Sequence, residues 1–313
     1  DKYRRGEHAP CDVVFTDDIE TDAKRRDFKC NAVYYEIARG EFVDPLGGIR
    51  DIRDKIISTT READEVFSED GLRLMRLARQ AAQLGFTPDF PTLFGAKFNA
   101  ALIGKISVER VFSELMLILH ADEKYGIPYA QYNGLKVLQS TDVLRYILPE
   151  LALGDGMPQR ADFHDHDVLE HTLRTVKYAD RRIRLAALLH DVGKPYCYRN
   201  FGNYHRHEIE GARIAEEILT RLKAPNKVIE DTVALTRTHM YDLNNQTKES
   251  KIRAFIVENF ALYPRILLVK QADYSGCKDD LHVCPTVRRW TEIYDKMKAA
   301  RAPFTLKELH ICG

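Results

Sequence analysis

The sequence predicts a mainly α protein that opens with a short mixed α/β segment, and three observations support this. Residues 1–57 carry short β-rich runs, "CDVVFTD" and "EFVDPLGG", bounded by turn residues. From Ser68 to about residue 300 the apolar positions recur almost entirely with helical period. At 313 residues the chain exceeds one ordinary helical domain, so two or three units are expected, each burying its own core.

Taken in order, "DAKRRDFKCNAVYYEIA" reads as a helix between the two early strands. Ser68 is the expected N-cap of the next helix, with Glu69 and Asp70 in its favourable first turn and Gly85 as its stop. Within that helix Arg73, Arg76 and Arg79 recur every third residue, opposite Leu74, Ala78, Ala81 and Leu84. Periodicity alone reads these arginines as a solvated basic face. Helices including "SVERVFSELMLILHA" continue to about residue 150, and "LPELALGDGMPQRADFHD" marks a boundary. No internal repeat or low-complexity stretch is present.

Lys+Arg and Asp+Glu are equal at 47 each, so bulk charge does not point to a nucleic-acid partner, and any such surface must come from local clustering. Six scattered cysteines without a CxxC pair fit reduced thiols, and no apolar run approaches the roughly 20 residues of a membrane span. A cytoplasmic protein with no membrane partner is expected. Both ends read as cut, since a strand is already under way in "DKYRRGEHAPCDVVFTDD" and "LKELHICG" carries no terminating signal. The chain is therefore expected to be an internal portion of a longer protein.

"LLHDVGKP" ends an apolar helix in an adjacent His190 and Asp191, followed by Lys194. A lone pair of this kind reads as a capping histidine beside a solvated aspartate. More donors follow the same theme: His171, then His205 and His207, His239, and Asp273. Imidazoles and carboxylates arriving from several helices are what a divalent metal site in a helical domain requires, and Asp191 is placed to bridge two ions. The series resembles the HD phosphohydrolase superfamily over about residues 160–280. The resemblance implies His171, His190, Asp191, His207, His239 and Asp273 as metal ligands, with His205 a weaker rival to His207. It also implies Lys194 near the phosphate, Lys194 and Asp191 in catalysis, and metal-assisted phosphoester hydrolysis. The ligand chemistry suits Mn, Ni, Co, Fe or Mg.

Three upstream phrases, "RRDFKCNA", "DPLGGIRDI" and "EDGLR", resemble the class II tRNA nucleotidyltransferase and poly(A) polymerase family, specifically bacterial CCA-adding enzymes, over roughly residues 1–150. The resemblance implies a truncated mixed α/β nucleotidyltransferase palm at 1–57 and a helical neck and body at 58–155. An all-α HD domain at 156–285 and the start of a tRNA-binding tail at 286–313, including "TLKELHICG", would follow. It implies tRNA, CTP and ATP as partners, and Mg2+ held by ligands upstream of this chain. Asp70 and Arg73 would pair with the base edge, and Arg26, Arg76 and Arg79 would contact sugar and triphosphate. Asp27 would accept from a ribose hydroxyl, or else pair with Arg25 or Arg26. Lys29 stands where the family has Thr. The family's Gly-Gly and Asp-x-Asp motifs would precede residue 1, so this chain is expected to bind a nucleotide without polymerising one. A poly(A) polymerase or A-adding enzyme shares the same motifs, and a metal-free RNA-binding or structural HD module is the remaining alternative.

Overall fold

The computed structural model describes residues 2–3, 5–7, 10–12, 16–160, 162 and 164–304. Contacts divide the chain into two compact units, Asp1–Ala152 with Arg221–Lys223, and Leu153–Thr220 with Ala224–Gly313. The molecule is mainly α, as the sequence predicts, and among the described residues the strands form three two-stranded sheets. None of the helices among the described residues is long and apolar enough to cross a membrane.

In the first unit, β1 (Lys2–Tyr3) pairs antiparallel with β2 (Pro10–Asp12), so Cys11 and Asp12 of "CDVVFTD" lie in a strand. The predicted helix over "DAKRRDFKCNAVYYEIA" is broken. Helix α1 (Ile19–Lys24) ends early, a 3-10 turn covers Lys29–Asn31, and β3 (Tyr34–Glu36) pairs with β4 (Glu41–Val43). The break has a tertiary cause, because Phe28 is extended and fully buried and bridges to Thr59, which no helix through it would allow. After β4, Asp44 caps helix α2 (Gly48–Asp54) by accepting from the amides of Gly48 at 2.7 Å and Ile49 at 2.9 Å.

Ser68 is not a cap. It lies inside α3 (Ala63–Glu69), and Asp70 instead accepts from the amide of Leu72, the first residue of α4 (Leu72–Leu84). Gly85 closes α4 at φ +67°. Strands β5 (Ile56–Ile57) and β6 (Thr87–Pro88) then pair in parallel, and α5 (Phe90–Phe98) follows. The buried face of α4, with Leu74, Met75, Leu77 and Ala78, packs against α6 (Val108–Leu119) and α8 (Ala130–Ser140). Short helices α7 (Asp122–Tyr125), α9 (Val143–Ile147) and α10 (Pro149–Ala152) complete the unit.

The second unit is all helix: α11 (Val168–Tyr178), α12 (Arg184–Leu189), α13 (Lys194–Phe201), α14 (His207–Arg221), α15 (Asn226–Thr238), α16 (Glu249–Glu258), α17 (Tyr263–Lys278) and α18 (Pro285–Ala299). Trp290 is fully buried on α18, surrounded by Tyr241, Phe255 and Tyr263, and its indole donates to Asp242 at 2.9 Å. Residues 286–299, the first part of the 286–313 stretch read from sequence as the start of a tRNA-binding tail, lie on α18, which packs on α16 and α17. "TLKELHICG" lies outside the described residues beyond Phe304.

Candidate metal centre and nucleotide site

Five helices of the second unit deliver six donors to one point. His171 projects from α11, His190 and Asp191 follow α12, His207 begins α14, His239 follows α15, and Asp273 lies on α17. All but Asp273 are buried to 4% exposure or less. The ligand atoms form two trios, His171, His190 and Asp273 in one and Asp191, His207 and His239 in the other. Asp191 faces both. Its Oδ2 lies 3.3 Å from His171 Nε2 and 3.2 Å from His190 Nε2, while its Oδ1 lies 3.1 Å from His207 Nε2 and 3.7 Å from His239 Nε2. Asp273 Oδ1 closes the first trio at 3.1 Å from His171 Nε2.

The ring orientations point to a cation. His190, His207 and His239 each direct Nδ1 at the carbonyl three residues earlier, those of Ala187, Tyr204 and Thr236, at 2.8, 2.7 and 2.6 Å. A carbonyl only accepts, so Nδ1 carries the proton and each Nε2 presents a lone pair inward. Yet Nε2 of His171 and His190 stand 3.2 Å apart, and those of His207 and His239 stand 3.3 Å apart. His207 and His239 thus meet lone pair to lone pair, and these repel at that distance unless a proton or an ion lies between them. The donor set therefore fits a divalent metal of the kind that takes mixed imidazole and carboxylate ligands. Without an ion, burial opposes charge on His190, but Asp191 and Asp273 overcome it and push that imidazole up to about 10. Burial works against the ionised forms of Asp191 and Asp273 too, and the surrounding imidazoles outweigh it, holding both carboxyls well below the usual range.

Two glycines make the convergence possible. A Cβ on Gly193 would sit 2.2 Å from the His207 carbonyl oxygen and 2.5 Å from the Gly211 amide nitrogen. A Cβ on Gly276 would sit 2.5 Å from Thr175 Oγ1, where α17 crosses α11. The first close approach brings His207 to Asp191, and the second brings Asp273 to His171.

Lys194 begins α13 and is buried, with Nζ 2.5 Å from Asp191 Oδ2 and donating to Gln159 Oε1 at 2.7 Å. Sequence reading missed Gln159, and also Tyr204, whose ring centroid is 6.0 Å from that Nζ. Neither has a spacing signal, because both sit in loops. His164 was missed as well. Its ring meets His171 edge-on at 4.7 Å, and burial, reinforced by His171 and Lys194, pushes it down to about 4. A ring nitrogen of His164, one of His171 and the Cys277 sulfur lie within 4.8 Å of one another. His205 is exposed and is not among these donors.

The arginines of the first unit are more embedded than a solvated face allows. Arg73 is 5% exposed; Nη1 donates to the Val66 carbonyl and Glu69 at 2.9 and 2.8 Å, and Nη2 to the Arg25 carbonyl at 2.9 Å. Arg61 grips the same Glu69 through both carboxylate oxygens, a partner that sequence reading also missed. Arg79 pairs with Glu114 of α6 at 2.6 Å. Asp27 is buried and pairs with Arg76 at 2.6 Å, whereas Arg25 and Arg26 both pair with Asp22. The pairing of Asp27 with Arg25 or Arg26 considered from sequence is thus replaced by one with α4. Asp27 and Asn31 join through a 3.3 Å hydrogen bond, and Asn31 reaches Gln80 of α4 at 2.9 Å. Replacing Arg73 with Met leaves two carbonyls without their donor while Glu69 keeps Arg61, so stability should fall by about 2 kcal/mol even without ligand. Thermal unfolding of the unliganded variant measures this, and an unchanged midpoint would contradict it.

Three family models match the chain. "Poly A polymerase head domain" covers residues 1–58, "Probable RNA and SrmB- binding site of polymerase A" covers 85–153, and "HD domain" covers 168–273. An A-adding tRNA nucleotidyltransferase of Deinococcus radiodurans is 32% identical over 283 residues, spanning 85% of this chain and 62% of the relative. A multifunctional CCA protein of Xanthomonas campestris is 30% identical over 235 residues, spanning 71% of this chain and 55% of the relative. The chain thus spans about three-fifths of the length of these relatives. Among solved structures, a Bacillus stearothermophilus CCA-adding enzyme in complex with CTP matches 96% of this chain and 64% of its own, with a TM-score of 0.62 and 25% identity. A tRNA nucleotidyltransferase complexed with a primer tRNA and an ATP analog shares the fold, with a TM-score of 0.59 and 20% identity over 93% of this chain and 76% of its own.

Proposed function

Because the chain belongs to the tRNA nucleotidyltransferase and poly(A) polymerase family and carries an HD domain, we propose that the whole protein adds CMP and AMP from CTP and ATP to the tRNA 3′ end. We propose further that its HD unit hydrolyses phosphoesters at RNA ends, with 2′,3′-cyclic phosphates or terminal phosphates as substrates. The protein then works in the cytoplasm, with tRNA, CTP and ATP as partners and Mg2+ for nucleotidyl transfer. The single observation that carries the hydrolytic half is the meeting of six imidazole and carboxylate donors around Asp191.

His171, His190, Asp191, His207, His239 and Asp273 would hold one or two divalent ions (Mn, Ni, Co, Fe or Mg). When bound, such ions activate water and neutralise charge on phosphoryl oxygens. Lys194 assists from this chain's side. Its ammonium has three donors, of which Gln159 and Asp191 take two, and it offsets charge on a phosphate beside Asp191. In the reaction a water oxygen bonds to phosphorus, one P–O ester bond breaks, and the departing ribose oxygen takes up a proton. A cyclic phosphate thereby becomes a monoester with one free hydroxyl.

In the first unit, Asp27, Arg26, Arg76 and Arg79 are proposed to contact the nucleotide's sugar and triphosphate, and Asp70 with Arg73 to read its base. Arg73 is anchored to the Arg25 carbonyl, so base reading and the end of α1 are mechanically joined. Asp70→Ala should relax the choice between CTP and ATP, while Arg76→Ala should weaken both nucleotides alike by about 10-fold or more. Binding measured separately for CTP and ATP checks this; equal losses in both variants would remove the base-reading role.

The full-length protein, given tRNA lacking its 3′ end with CTP and ATP separately and together, tests the transferase reading. Incorporation of C from CTP alone supports CCA addition, and absence of addition from any mixture rejects the proposal. Addition of A alone supports the second reading, an A-adding enzyme, which the Deinococcus relative favours.

A further inference from the structure

We propose that Tyr198 and Tyr204 form a base-binding ledge beside the metal centre, so that the HD unit takes phosphoesters carrying a nucleobase in preference to simple sugar phosphates. This rests on the hydrolytic reading above and names the part of the substrate that the centre itself does not touch.

The ledge starts at Lys194. One turn along α13 from that residue, Tyr198 is 47% exposed. Gly202, at φ +69°, ends the helix and turns the chain back toward the centre. Tyr204 follows, with its ring 5.6 Å from that of Tyr198 at an interplanar angle of 32°. Its ring centroid is also 6.0 Å from Lys194 Nζ. Ammonium, inner ring and outer ring therefore run from the metal centre to solvent. A phosphate beside Lys194 would then have its ribose near Tyr204 and its base near Tyr198.

Tyr204 is fixed from two directions. Its hydroxyl donates to the Pro158 carbonyl at 2.7 Å, and its own carbonyl accepts from Nδ1 of His207 at 2.7 Å. Only the hydroxyl contact depends on the tyrosine side chain; it holds the ring, while the carbonyl contact holds the backbone beside His207. The neighbouring aromatic pair, Tyr196 and Phe201 of α13, differs because the cation over Tyr196 is Arg213, 5.3 Å away, and not the Lys194 that reaches Asp191. Tyr198 is an exposed ring linked to Lys194 through Tyr204, and base–aromatic stacking is tolerant of base identity. The ledge should thus accept any nucleobase while rejecting its absence.

The experiment uses the full chain loaded with Mn2+ and two esters with the same reacting group, a nucleoside 2′,3′-cyclic phosphate and 1-O-methylribose 2′,3′-cyclic phosphate. In Tyr198→Ala, KM for the nucleoside ester should rise roughly 5- to 100-fold, with kcat and the base-free ester unaffected. Tyr198→Phe should restore the wild-type KM, because stacking needs the ring and not the hydroxyl. Calorimetric binding of a nucleoside 3′-monophosphate, which involves no turnover, should weaken by the same factor in Tyr198→Ala. Equal effects on both esters, or an unchanged KM for the nucleoside ester, would overturn the ledge and leave the hydrolase intact. If wild-type protein cleaves neither ester, the hydrolytic reading fails, and the binding measurement still decides the ledge: loss in Tyr198→Ala supports it and unchanged binding rejects it.

Discussion

Asp191→Ala should abolish phosphoester hydrolysis by the HD unit and reduce bound metal to background, while CTP and ATP binding stays at the wild-type level. The carboxylate is 1% exposed and stands between four imidazoles, with Lys194 on its flank. Removing it takes a ligand from both trios at once. Loss of an outer supporting group costs about 10- to 100-fold in metal affinity, so loss of a ligand shared by both trios should exceed that range. It also leaves the buried Lys194 without its counter-charge, a loss of about 3–5 kcal/mol for a broken buried pair. Metal analysis of the purified variant, together with nucleotide titration, measures the outcome. Stoichiometric metal retained in Asp191→Ala would show that the six donors do not act as one centre, whereas absence of metal from the wild-type protein would favour a metal-free HD unit with a structural or RNA-binding role.

Gly193→Ala is expected to be the most disruptive single methyl group in the second unit. The new Cβ would overlap the His207 carbonyl and the Gly211 amide, both of them backbone, so no side chain can swing aside to make room. The start of α14 must then move off the start of α13, at a cost of about 3 kcal/mol, the upper part of the range for overpacking. For a unit of this size that corresponds to a fall of roughly 6–12 °C in Tm. Metal affinity should drop with it, because the same displacement carries His207 away from Asp191. Gly211→Ala is the control: its Cβ would lie 3.2 Å from the Gly193 amide nitrogen, a tight contact but not an overlap. Calorimetric unfolding of the two variants should rank them in that order, and equal midpoints would refute the role given to this contact.

The donors of the candidate metal centre were legible because their chemistry is rare and ordered along the chain; burial of five such groups beside a sixth has few uses besides holding an ion. Their geometry was not legible. Nothing in "HDVGKP" shows that the glycine is needed for a backbone approach to a residue fourteen positions later. Gln159 and Tyr204 left no trace because loop residues obey no period, and their contacts arise only when the helices assemble. The mainly α class followed from periodicity, but the helix expected through Phe28 gave way to tertiary demand, since that ring is wanted in the core in an extended backbone. The arginines of α4 show the converse problem. Their three-residue spacing reads as a wet surface, yet Arg73 is sealed in by Glu69 and two carbonyls that sequence spacing does not reveal.

The sharing of Asp191 has a thermodynamic consequence. Its two oxygens face different trios, so charge or displacement imposed through one is felt at the other. Occupancy of the two positions is then coupled, and the coupling must be reciprocal: whatever one cation does to the affinity for a second, the second does to the first. Two cations held there would accordingly load with a curve that departs from two independent hyperbolas.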